Sequence, residues 1–390
     1  MMNFEMNCPT PIVFGPDSFE RLADLPLPGK KALIVYSDDN IAVEYGYLHR
    51  LLQMLEPRNI GWRLYNNVQP NPVVDNVMSG ARAARESDCD FIIALGGGSV
   101  MDCAKAISLM ATNEGDYWDY VDEKIFIQNP RLPVVTVSTL AGTGTEVAPC
   151  FCITNEERCE KVGFPRPARY NTWPVLAIVD PKLMTTVPPT HTAYSGFDAF
   201  SHCAESLLSK KSNYMSDLYS FAAISAFGKS IVSAVKNGDD LEARTQIAFA
   251  SLCSGMVMTV GSCISKHPLE HGMSAYHNEL PHGAGLLMIC RAYYKKLISR
   301  HVLDDRFTEM ARALGRASAS CPEDFINALD ELMQSCGVAD LKMSDYGITP
   351  DEFPKFVHNA RTTVIGHLFK SDVITLSDQD CIDIYTESYR

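Results

Sequence analysis

The sequence predicts two domains of different class, an α/β domain followed by a domain built only of helices. Before about residue 181, short apolar runs bounded by turn residues alternate with helix-like stretches, which is typical of parallel strands joined by crossover helices. After Pro181 the strand-like runs stop, and successive amphipathic patterns of helical period follow. We therefore predict an α/β domain over residues 1–183 and an all-helical domain over residues 184–390.

Four apolar runs are predicted to form a parallel sheet in the first domain. The segment DPKLMTTVPPTH carries three prolines within nine residues and is expected to join the two domains, so the cleft between them is the natural place for a functional site. The predicted strands are 31–37, 90–99, 133–142 and 175–180, and the predicted helices are 191–209, 213–236, 241–260, 283–299, 302–315, 322–336 and 351–362.

The composition favours a globular protein with a small-molecule partner. The 390 residues are 46% hydrophobic and 21% charged, which is ordinary for a chain with a sizeable core. A formal net charge of -13 argues against nucleic acid or an anionic membrane as partner, because phosphate binding needs a basic patch. No leader-like N-terminus and no run of about 18 apolar residues is present in the sequence, so neither export nor membrane spanning is expected.

The cysteines point to a reducing compartment. The thirteen residues are odd in number and irregularly spaced, and the close pair Cys150 and Cys152 lacks the two-residue spacer of a zinc or redox motif. We interpret them as reduced thiols and predict a cytoplasmic protein.

Two helix-like segments carry residues that suit a metal ion. Asp198 and His202 stand four residues apart in SGFDAFSHCAESLL, so both project from one face of a helix. One histidine on a helix is usually only a packed side chain, but one carboxylate with three imidazoles suits a divalent ion such as zinc or ferrous iron. The further imidazoles would come from CISKHPLEHGMSAYHNELPHGAG, which holds four of the ten histidines: His267, His271, His277 and His282.

Two loops at predicted strand ends suit a dinucleotide. The strand Phe91 to Leu95 runs into three glycines and a helix opened by Ser99, so backbone can approach a phosphate at the positive end of a helix. The run is not the G-x-G-x-x-G fingerprint, and such a run is often only a tight turn. A second loop at 138–146, STLAGTGTE, supplies hydroxyls for phosphate and ribose oxygens and favours the cofactor interpretation. The residues are Gly96, Gly97, Gly98, Ser138, Thr139, Thr143 and Thr145.

Acidic residues after the first long strand favour NAD over NADP. In LIVYSDDN, the carboxylate of Asp38, with Asp39 as second choice, would accept hydrogen bonds from the adenine ribose and repel a 2′-phosphate. The alternative is that Asp38, Asp39 or Asn40 caps a helix.

The order of seven motifs closely resembles the iron-activated (group III) alcohol dehydrogenases, including butanol dehydrogenases and related aldehyde reductases. The resemblance covers about residues 4–300 and rests on FGPDSFERL, QPNP, GGGSVMDCAK, STLAGTGTEV, DPKLM, FDAFSH and HPLEHGMSAYHNELPHGAG. It implies a dehydroquinate synthase-like fold, with an N-terminal dinucleotide-binding α/β domain, a C-terminal all-helical metal-binding domain and catalysis in the cleft. It further implies a homodimer or larger homo-oligomer.

The resemblance also implies the roles of individual residues. The NELP loop is one residue longer than in shorter relatives, and the glycine-rich turn of NADP-using relatives is replaced here by Ser37, Asp38 and Asp39. The implied metal ligands are Asp198, His202, His267 and His282, which would hold Fe²⁺ or Zn²⁺. Gly97, Gly98, Ser99 and Asp102 match the pyrophosphate motif GGGSxxD, and Asn71, Thr139, Thr143, Lys161 and Leu183 match positions that line the dinucleotide groove.

The predicted reaction is hydride transfer between NAD(H) and a small primary alcohol or aldehyde. A metal acting as Lewis acid would stabilise the alkoxide. His271 lies one helical turn beyond His267, so it is predicted to relay the alcohol proton or to position the nicotinamide, with a hydrogen bond to a ligand as the alternative. The predicted pocket residues are Phe151, Phe164, Tyr194, Phe197 and His277.

Other functions remain open from the sequence. The run from His267 to His271 fits the H-x-x-E-H motif of inverzincin metallopeptidases, with Glu270 as base, but that interpretation leaves Asp198, His202 and both loops unexplained. A non-redox NAD- and metal-dependent enzyme resembling dehydroquinate synthase is a closer alternative. A third possibility is a protein that only binds nucleotide.

Overall fold

A parallel β-sheet organises the first half of the chain. The computed structural model describes residues 3–390. Its strands are β1 (Ile12–Phe14), β2 (Lys31–Val35), β3 (Gly61–Tyr65), β4 (Phe91–Gly96), β5 (Val134–Ser138), β6 (Cys152–Asn155), β7 (Glu160–Gly163) and β8 (Leu176–Val179). Within the described residues, six of these form one parallel sheet in the order β1-β8-β5-β4-β2-β3, and β6 and β7 pair as an antiparallel hairpin.

The central strands are buried on both faces, which explains their nearly continuous apolar sequence. Successive side chains alternate between two cores. In β2, Leu33 and Val35 face one core, while Ala32 and Ile34 face the other. Helices cover both faces of the sheet: α1 (Ile41–Glu44), α2 (Tyr47–Leu55), α3 (Val74–Glu86), α4 (Gly98–Met110) and α5 (Tyr117–Val121).

The strand order reverses between β2 and β4. The chain moves outward from β2 to β3, and then returns to place β4, β5 and β8 on the other side of β2. In open α/β sheets a crevice forms at the carboxyl ends of the strands where the order reverses. The segment after β2 and the glycines after β4 therefore border the same crevice.

The second half of the chain is helical, and within residues 3–390 no β-strand follows β8. Its α-helices are α6 (Pro189–Leu207), α7 (Tyr214–Lys236), α8 (Leu241–Val260), α9 (Lys266–Ser274), α10 (His282–Ile298), α11 (Asp304–Ala313), α12 (Glu323–Ser335), α13 (Phe353–Thr362) and α14 (Asp378–Ser388). Short 3₁₀ helices lie at Glu20–Ala23, Glu56–Arg58, Pro167–Tyr170, Pro181–Met184, Met343–Tyr346, Pro350–Glu352 and Val364–Ser371.

The predicted fold class is confirmed, although several elements were not predicted. All four predicted strands and all seven predicted helices have a counterpart within a few residues. The strand β3 was not predicted because it lies at the sheet edge, where Arg63 and Leu64 are exposed and no continuous apolar run is needed. The strand β1, the hairpin β6–β7 and helix α14 were also not predicted. The division at residues 183 and 184 stays a prediction.

Helix α7 is long and apolar enough to span a membrane by length and composition alone. Its most apolar window has a mean hydropathy of 1.4, and half of that window is buried within the protein. The helix packs against α6 and α8. Because a core helix of a folded domain has the same properties, α7 is weak evidence for a membrane span.

Candidate metal centre and cofactor groove

Three helices of the helical domain bring the predicted metal ligands together. Helix α6 carries Asp198 and His202 on one face, α9 carries His267 near its first turn, and α10 begins at His282. The first three residues are 3%, 9% and 5% exposed, so the centre is almost sealed from solvent. The side chain of His282 is 21% exposed, which leaves the centre open on one side.

The distances between these side chains suit ligands of one ion. The Asp198 carboxylate Oδ1 lies 3.7 Å from His267 Nε2 and 3.6 Å from His282 Nε2. These three residues offer ligand atoms that all lie within 4.8 Å of one another. His202 is adjacent, since its Nδ1 lies 3.2 Å from Asp198 Oδ1 and its ring centroid lies 4.4 Å from that of His267. Together with His267 and Cys263, His202 forms a second group of ligand atoms within the same distance limit.

Each of the three imidazoles uses Nδ1 for a hydrogen bond inside the protein. His202 Nδ1 donates to the Asp198 carbonyl oxygen at 2.9 Å, and His267 Nδ1 donates to Glu205 Oε1 at 2.6 Å. His282 Nδ1 donates to the carboxylate of Glu270. These bonds fix the ring orientations and leave each Nε2 as the nitrogen that can bind a metal ion, as is typical of metal-bound histidines.

The sequence did not predict that Glu205 and Glu270 bond the candidate metal ligands. Glu270 was considered only as the base of a peptidase. Each lies three residues after a predicted ligand, Glu205 after His202 and Glu270 after His267. A carboxylate three residues after a candidate ligand on the same helix was the sequence feature that could have indicated these contacts. Their partners lie on other helices, however, so the spacing alone does not reveal which imidazole each one contacts.

Two buried atoms of the centre lack a hydrogen-bond partner and suit a metal ion. Asp198 Oδ1 and His267 Nε2 are buried and have no hydrogen-bond partner among residues 3–390. An unpaired buried polar atom costs about 1–3 kcal/mol, so such atoms need an explanation. A carboxylate oxygen that converges with imidazole nitrogens is a donor set suited to divalent iron or zinc. The residues present therefore fit a divalent ion.

The electrostatics of the centre favour a cation. Burial alone would raise the pKa of the Asp198 carboxyl, but the neighbouring imidazoles hold it well below its usual range. Burial would lower the pKa of His267, but the nearby Cys263 thiol and the Glu205 carboxylate raise it well above its usual range. Acidic groups therefore stabilise positive charge at this point, and a divalent ion can supply that charge.

His271 lies beside the centre and is held in its neutral form. Its Nδ1 donates to the Lys161 carbonyl oxygen at 2.9 Å, and its ring centroid lies 5.3 Å from that of His282. Burial, followed by the charge of Lys161, places the pKa of His271 well below its usual range. The Nε2 atom of His271 therefore carries a free lone pair.

Asn71 and Lys161 connect the α/β domain to the metal centre. Lys161 Nζ donates to Asn71 Oδ1 at 3.0 Å and to Ser274 Oγ at 3.1 Å, and lies 3.5 Å from Glu270 Oε2. Asn71 Nδ2 donates to the carbonyl oxygens of Asn278 and Leu280, which lie just before α10. This polar network holds the hairpin β6–β7 against the helical domain.

The glycine loop leads directly into helix α4, as the sequence predicted. Helix α4 begins at Gly98, and no side chain caps its N-terminus. A Cβ atom added to Gly98 would lie 2.6 Å from Cγ2 of Thr143, so only glycine lets the two predicted cofactor loops touch. The N–H groups in the first turn of α4 have no acceptor within the helix, so this helix end suits an anion.

The threonine loop lies between the two domains. Gly144 has φ +64°, and a Cβ atom there would lie 2.1 Å from the backbone nitrogen of Gly255 in α8. In addition, the backbone N–H of Gly142 donates to Ser251 Oγ at 2.8 Å. The close backbone packing explains the glycines of this loop and fixes its position against the helical domain.

Several predicted cofactor residues are engaged in bonds within the loops. Thr145 Oγ1 donates to Asp102 Oδ1 at 2.7 Å, and Asp102 Oδ2 accepts from the Cys152 backbone N–H at 2.9 Å. Ser138 is buried and its hydroxyl donates to the Leu140 carbonyl oxygen. Thr139 and Thr143 stay half-buried at the crevice. Their contact with a dinucleotide stays a prediction.

The structure distinguishes the two acidic residues after β2. Asp39 Oδ1 accepts from the Ile41 backbone N–H at 3.1 Å, so Asp39 stabilises the start of α1. Asp38 is exposed, and its carboxylate has no hydrogen-bond partner in the described part of the chain. The Asp38 carboxylate is therefore the one available to a ligand.

Leu183 is fully buried in the core next to the sheet.

The predicted pocket aromatics lie in different environments. Phe151 and Phe164 stack with ring centroids 5.2 Å apart in the core of the α/β domain. Phe197 packs edge-on against Phe227 at 4.9 Å in the helical core. His277 Nε2 lies 3.1 Å from a Glu352 carboxylate oxygen. Tyr194 is 9% exposed.

Comparison with known proteins identifies relatives over the whole chain. Residues 9–181 match the family described as iron-containing alcohol dehydrogenase, and residues 192–389 match the C-terminal domain of the Fe-containing alcohol dehydrogenase family. Alcohol dehydrogenase 4 of Saccharomyces cerevisiae is 32% identical over 351 residues, which is 89% of each chain. NADH-dependent butanol dehydrogenase A of Clostridium acetobutylicum is 28% identical over 100% of both chains.

Solved structures show the same architecture. An archaeal halo-thermophilic alcohol dehydrogenase from a Red Sea brine pool superimposes with a TM-score of 0.91 at 28% identity, over 100% of this chain and 99% of the other.

Proposed function

The chain belongs to the iron-containing alcohol dehydrogenase family, and from that premise we propose that it transfers a hydride between NAD(H) and a small primary alcohol or aldehyde at the interdomain centre. The family implies an iron-type metal and NAD(H) binding. The observation that carries the assignment of residues is the unpaired Asp198 Oδ1, which lies within 3.7 Å of two imidazole Nε2 atoms. The proposed ligands are Asp198, His202, His267 and His282, for Fe²⁺ or alternatively Zn²⁺.

The chain's own residues prepare this chemistry. When bound, the metal supplies Lewis-acid polarisation of the substrate oxygen, and the nicotinamide supplies a hydride acceptor or donor. Glu205 and Glu270 hold two of the imidazoles in the orientation that presents Nε2. The short network from Lys161 to Asn71 keeps the α/β domain fixed against these groups.

His271 is the proposed proton acceptor. Its Nδ1 proton is held by the Lys161 carbonyl oxygen, so Nε2 can take the alcohol proton and pass it toward solvent. A second role, positioning the nicotinamide, fits its place between the hairpin β6–β7 and His282.

The crevice between β2 and β4 is the proposed dinucleotide site. The N-terminus of α4 would bind the pyrophosphate, and the exposed carboxylate of Asp38 would bind the adenine ribose and disfavour a 2′-phosphate. NAD is therefore the proposed cofactor.

The peptidase and lyase-type alternatives are not favoured. In an inverzincin, Glu270 would act on water and His271 would bind zinc, but Glu270 is fully buried and bonds His282. The family matches are to alcohol dehydrogenases, which disfavours a non-redox enzyme on this scaffold.

We also propose that the protein is located in the reducing cytoplasm. We further propose that it forms a homodimer or a larger homo-oligomer. The location is supported by the cysteines, all thirteen of which are free thiols.

A steady-state screen tests the proposed function. Purified protein is analysed for metal, loaded with Fe²⁺ or Zn²⁺, and assayed with primary alcohols and aldehydes using NAD(H) and NADP(H). We expect turnover with at least one small alcohol or aldehyde and a higher kcat/KM with NAD(H). A metal-loaded protein with no hydride transfer to any substrate would contradict the proposal.

A further inference from the structure

Cys263 lies at the metal centre, although the proposed function does not use it. It follows α8 and precedes α9, and it is 2% exposed. Its Sγ atom belongs, with ring nitrogens of His202 and His267, to a group of ligand atoms that all lie within 4.8 Å of one another. This donor set shares His202 and His267 with the ligands proposed above, so the centre contains two overlapping donor sets.

The second donor set contains an atom without a partner. His267 is 5% exposed, and its Nε2 is buried with no hydrogen bond among residues 3–390. The Nδ1 of His202 is engaged with the Asp198 carbonyl oxygen, so its Nε2 is the nitrogen free to bind an ion. Apart from its neighbour His267, the Cys263 thiol has only a weak contact, to the Met258 sulfur at 3.6 Å.

The backbone after Cys263 is fixed by two buried carboxylates. The Ile264 N–H donates to Glu205 Oε2 at 3.0 Å, and the Ser265 N–H donates to Asp372 Oδ1 at 2.8 Å. Glu205 also holds His267, so one carboxylate positions both the thiol-bearing segment and an imidazole of the set. The backbone that follows Cys263 is therefore held in place by protein side chains alone.

We propose that Cys263 is a metal ligand, which together with His202 and His267 gives the centre a second donor set for zinc or a similarly thiophilic divalent ion. On binding, the Sγ–H bond breaks, an Sγ–metal bond forms and the proton passes to solvent, with no change in oxidation state. The inference rests on the proposed function only through the two shared imidazoles.

The consequence is a competition between metals. Thiolate ligands favour zinc, whereas carboxylate and imidazole together suit ferrous iron. Because both donor sets need His202 and His267, the two ions exclude each other. Cys263 would thus set how strongly zinc competes with iron in this protein.

X-ray absorption on the wild-type protein tests the proposal without any substitution. Metal-stripped protein is loaded with one equivalent of Zn²⁺, and the zinc edge is recorded. We expect one sulfur scatterer at about 2.3 Å beside nitrogen and oxygen scatterers. A zinc shell of nitrogen and oxygen alone would overturn the proposal.

The substitution Cys263→Ser sharpens the test, with Cys253→Ser as matched control. Cys253 is also buried, but it is not in either donor set. We expect Cys263→Ser to weaken Zn²⁺ binding by at least about tenfold, to change Fe²⁺ binding less, and to abolish the thiolate charge-transfer band of Co²⁺-loaded protein. The control should keep all three properties.

The two proposals fail in different ways. An unchanged cobalt band and zinc affinity in Cys263→Ser would refute Cys263 as a ligand, while iron-loaded protein could still oxidise alcohols. Conversely, a zinc–sulfur bond in a protein that transfers no hydride with either metal would support this inference and contradict the proposed function.

Discussion

The candidate metal centre and the proposed dinucleotide crevice are built in opposite ways. The centre is a set of buried side chains whose positions are fixed by further side chains, such as Glu205 on His267. The crevice is formed mainly by backbone, at the N-terminus of α4, where Gly98 leaves room for Thr143. Residue type and spacing therefore reveal the first site more directly than the second.

Removing His267 should have the largest effect. We expect His267→Ala to lose most of the bound metal, with affinity reduced at least about 100-fold, and to lose nearly all turnover, because this imidazole belongs to both donor sets. Metal analysis and kcat, with circular dichroism to check the fold, provide the measurement. The exposed His301→Ala serves as control, and a fully metallated, active His267 variant would exclude the assignment.

Removing His271 should separate catalysis from metal binding. We expect His271→Ala to keep its metal but to lose roughly 10²–10⁴-fold in kcat, because the proton acceptor beside the centre is gone. Imidazole added to the solution should restore part of the rate. The exposed His358→Ala is the control, and loss of metal from the His271 variant would show that the ligand set is wrong.

The effect of Glu205→Gln should be intermediate. A neutral amide holds the His267 ring less firmly than a carboxylate, so we expect metal affinity to fall by about 10–100-fold while the fully loaded enzyme keeps most of its kcat. A metal titration followed by kinetics at saturation separates these two effects. Glu242→Gln, which lies on the exposed face of α8, should change neither, and equal metal affinity in both variants would reject the positioning role.

The smallest effect is expected from substitution of Asp38 in the proposed dinucleotide crevice. Asp38→Gly should raise the ratio of kcat/KM for NADP over NAD by about tenfold or more, since tenfold corresponds to only about 1.4 kcal/mol of lost repulsion and hydrogen bonding. Asp39→Gly should instead lower stability by about 1 kcal/mol through loss of its bond to Ile41 and leave the ratio unchanged. The opposite pattern would assign cofactor selection to Asp39.

The sequence could predict that Asp198 and His202 lie together because helical geometry converts spacing into proximity. A spacing of four residues from Asp198 to His202 places both on one face of α6 whatever the rest of the fold does. The hydrogen-bond partner of each imidazole could not be predicted in this way, because it depends on how the helices pack against one another. Glu270 lies in α9 beside His267 and His271, yet it bonds His282 of α10.

The roles of residues near the predicted phosphate site were harder to predict from the sequence than the positions of the candidate metal ligands. The hydroxyl of Thr145 satisfies Asp102 and the buried Lys105 ammonium, a role that a threonine-rich loop does not reveal. Phe197 lies next to Asp198 in α6 but packs into the helical core. Adjacent positions of a helix face different directions. The strands and helices with strong apolar periodicity were predicted, whereas the edge strand β3 was not.

One divalent ion is expected to bind between Asp198, His202, His267 and His282. A crystal structure of the Fe²⁺-loaded protein with anomalous scattering recorded at the iron edge tests it most directly. We expect a single strong anomalous peak in contact with Asp198 Oδ1 and the Nε2 atoms of the three histidines. A peak bound by His271 and His267, or no peak at this centre in protein that contains stoichiometric iron, would contradict the account.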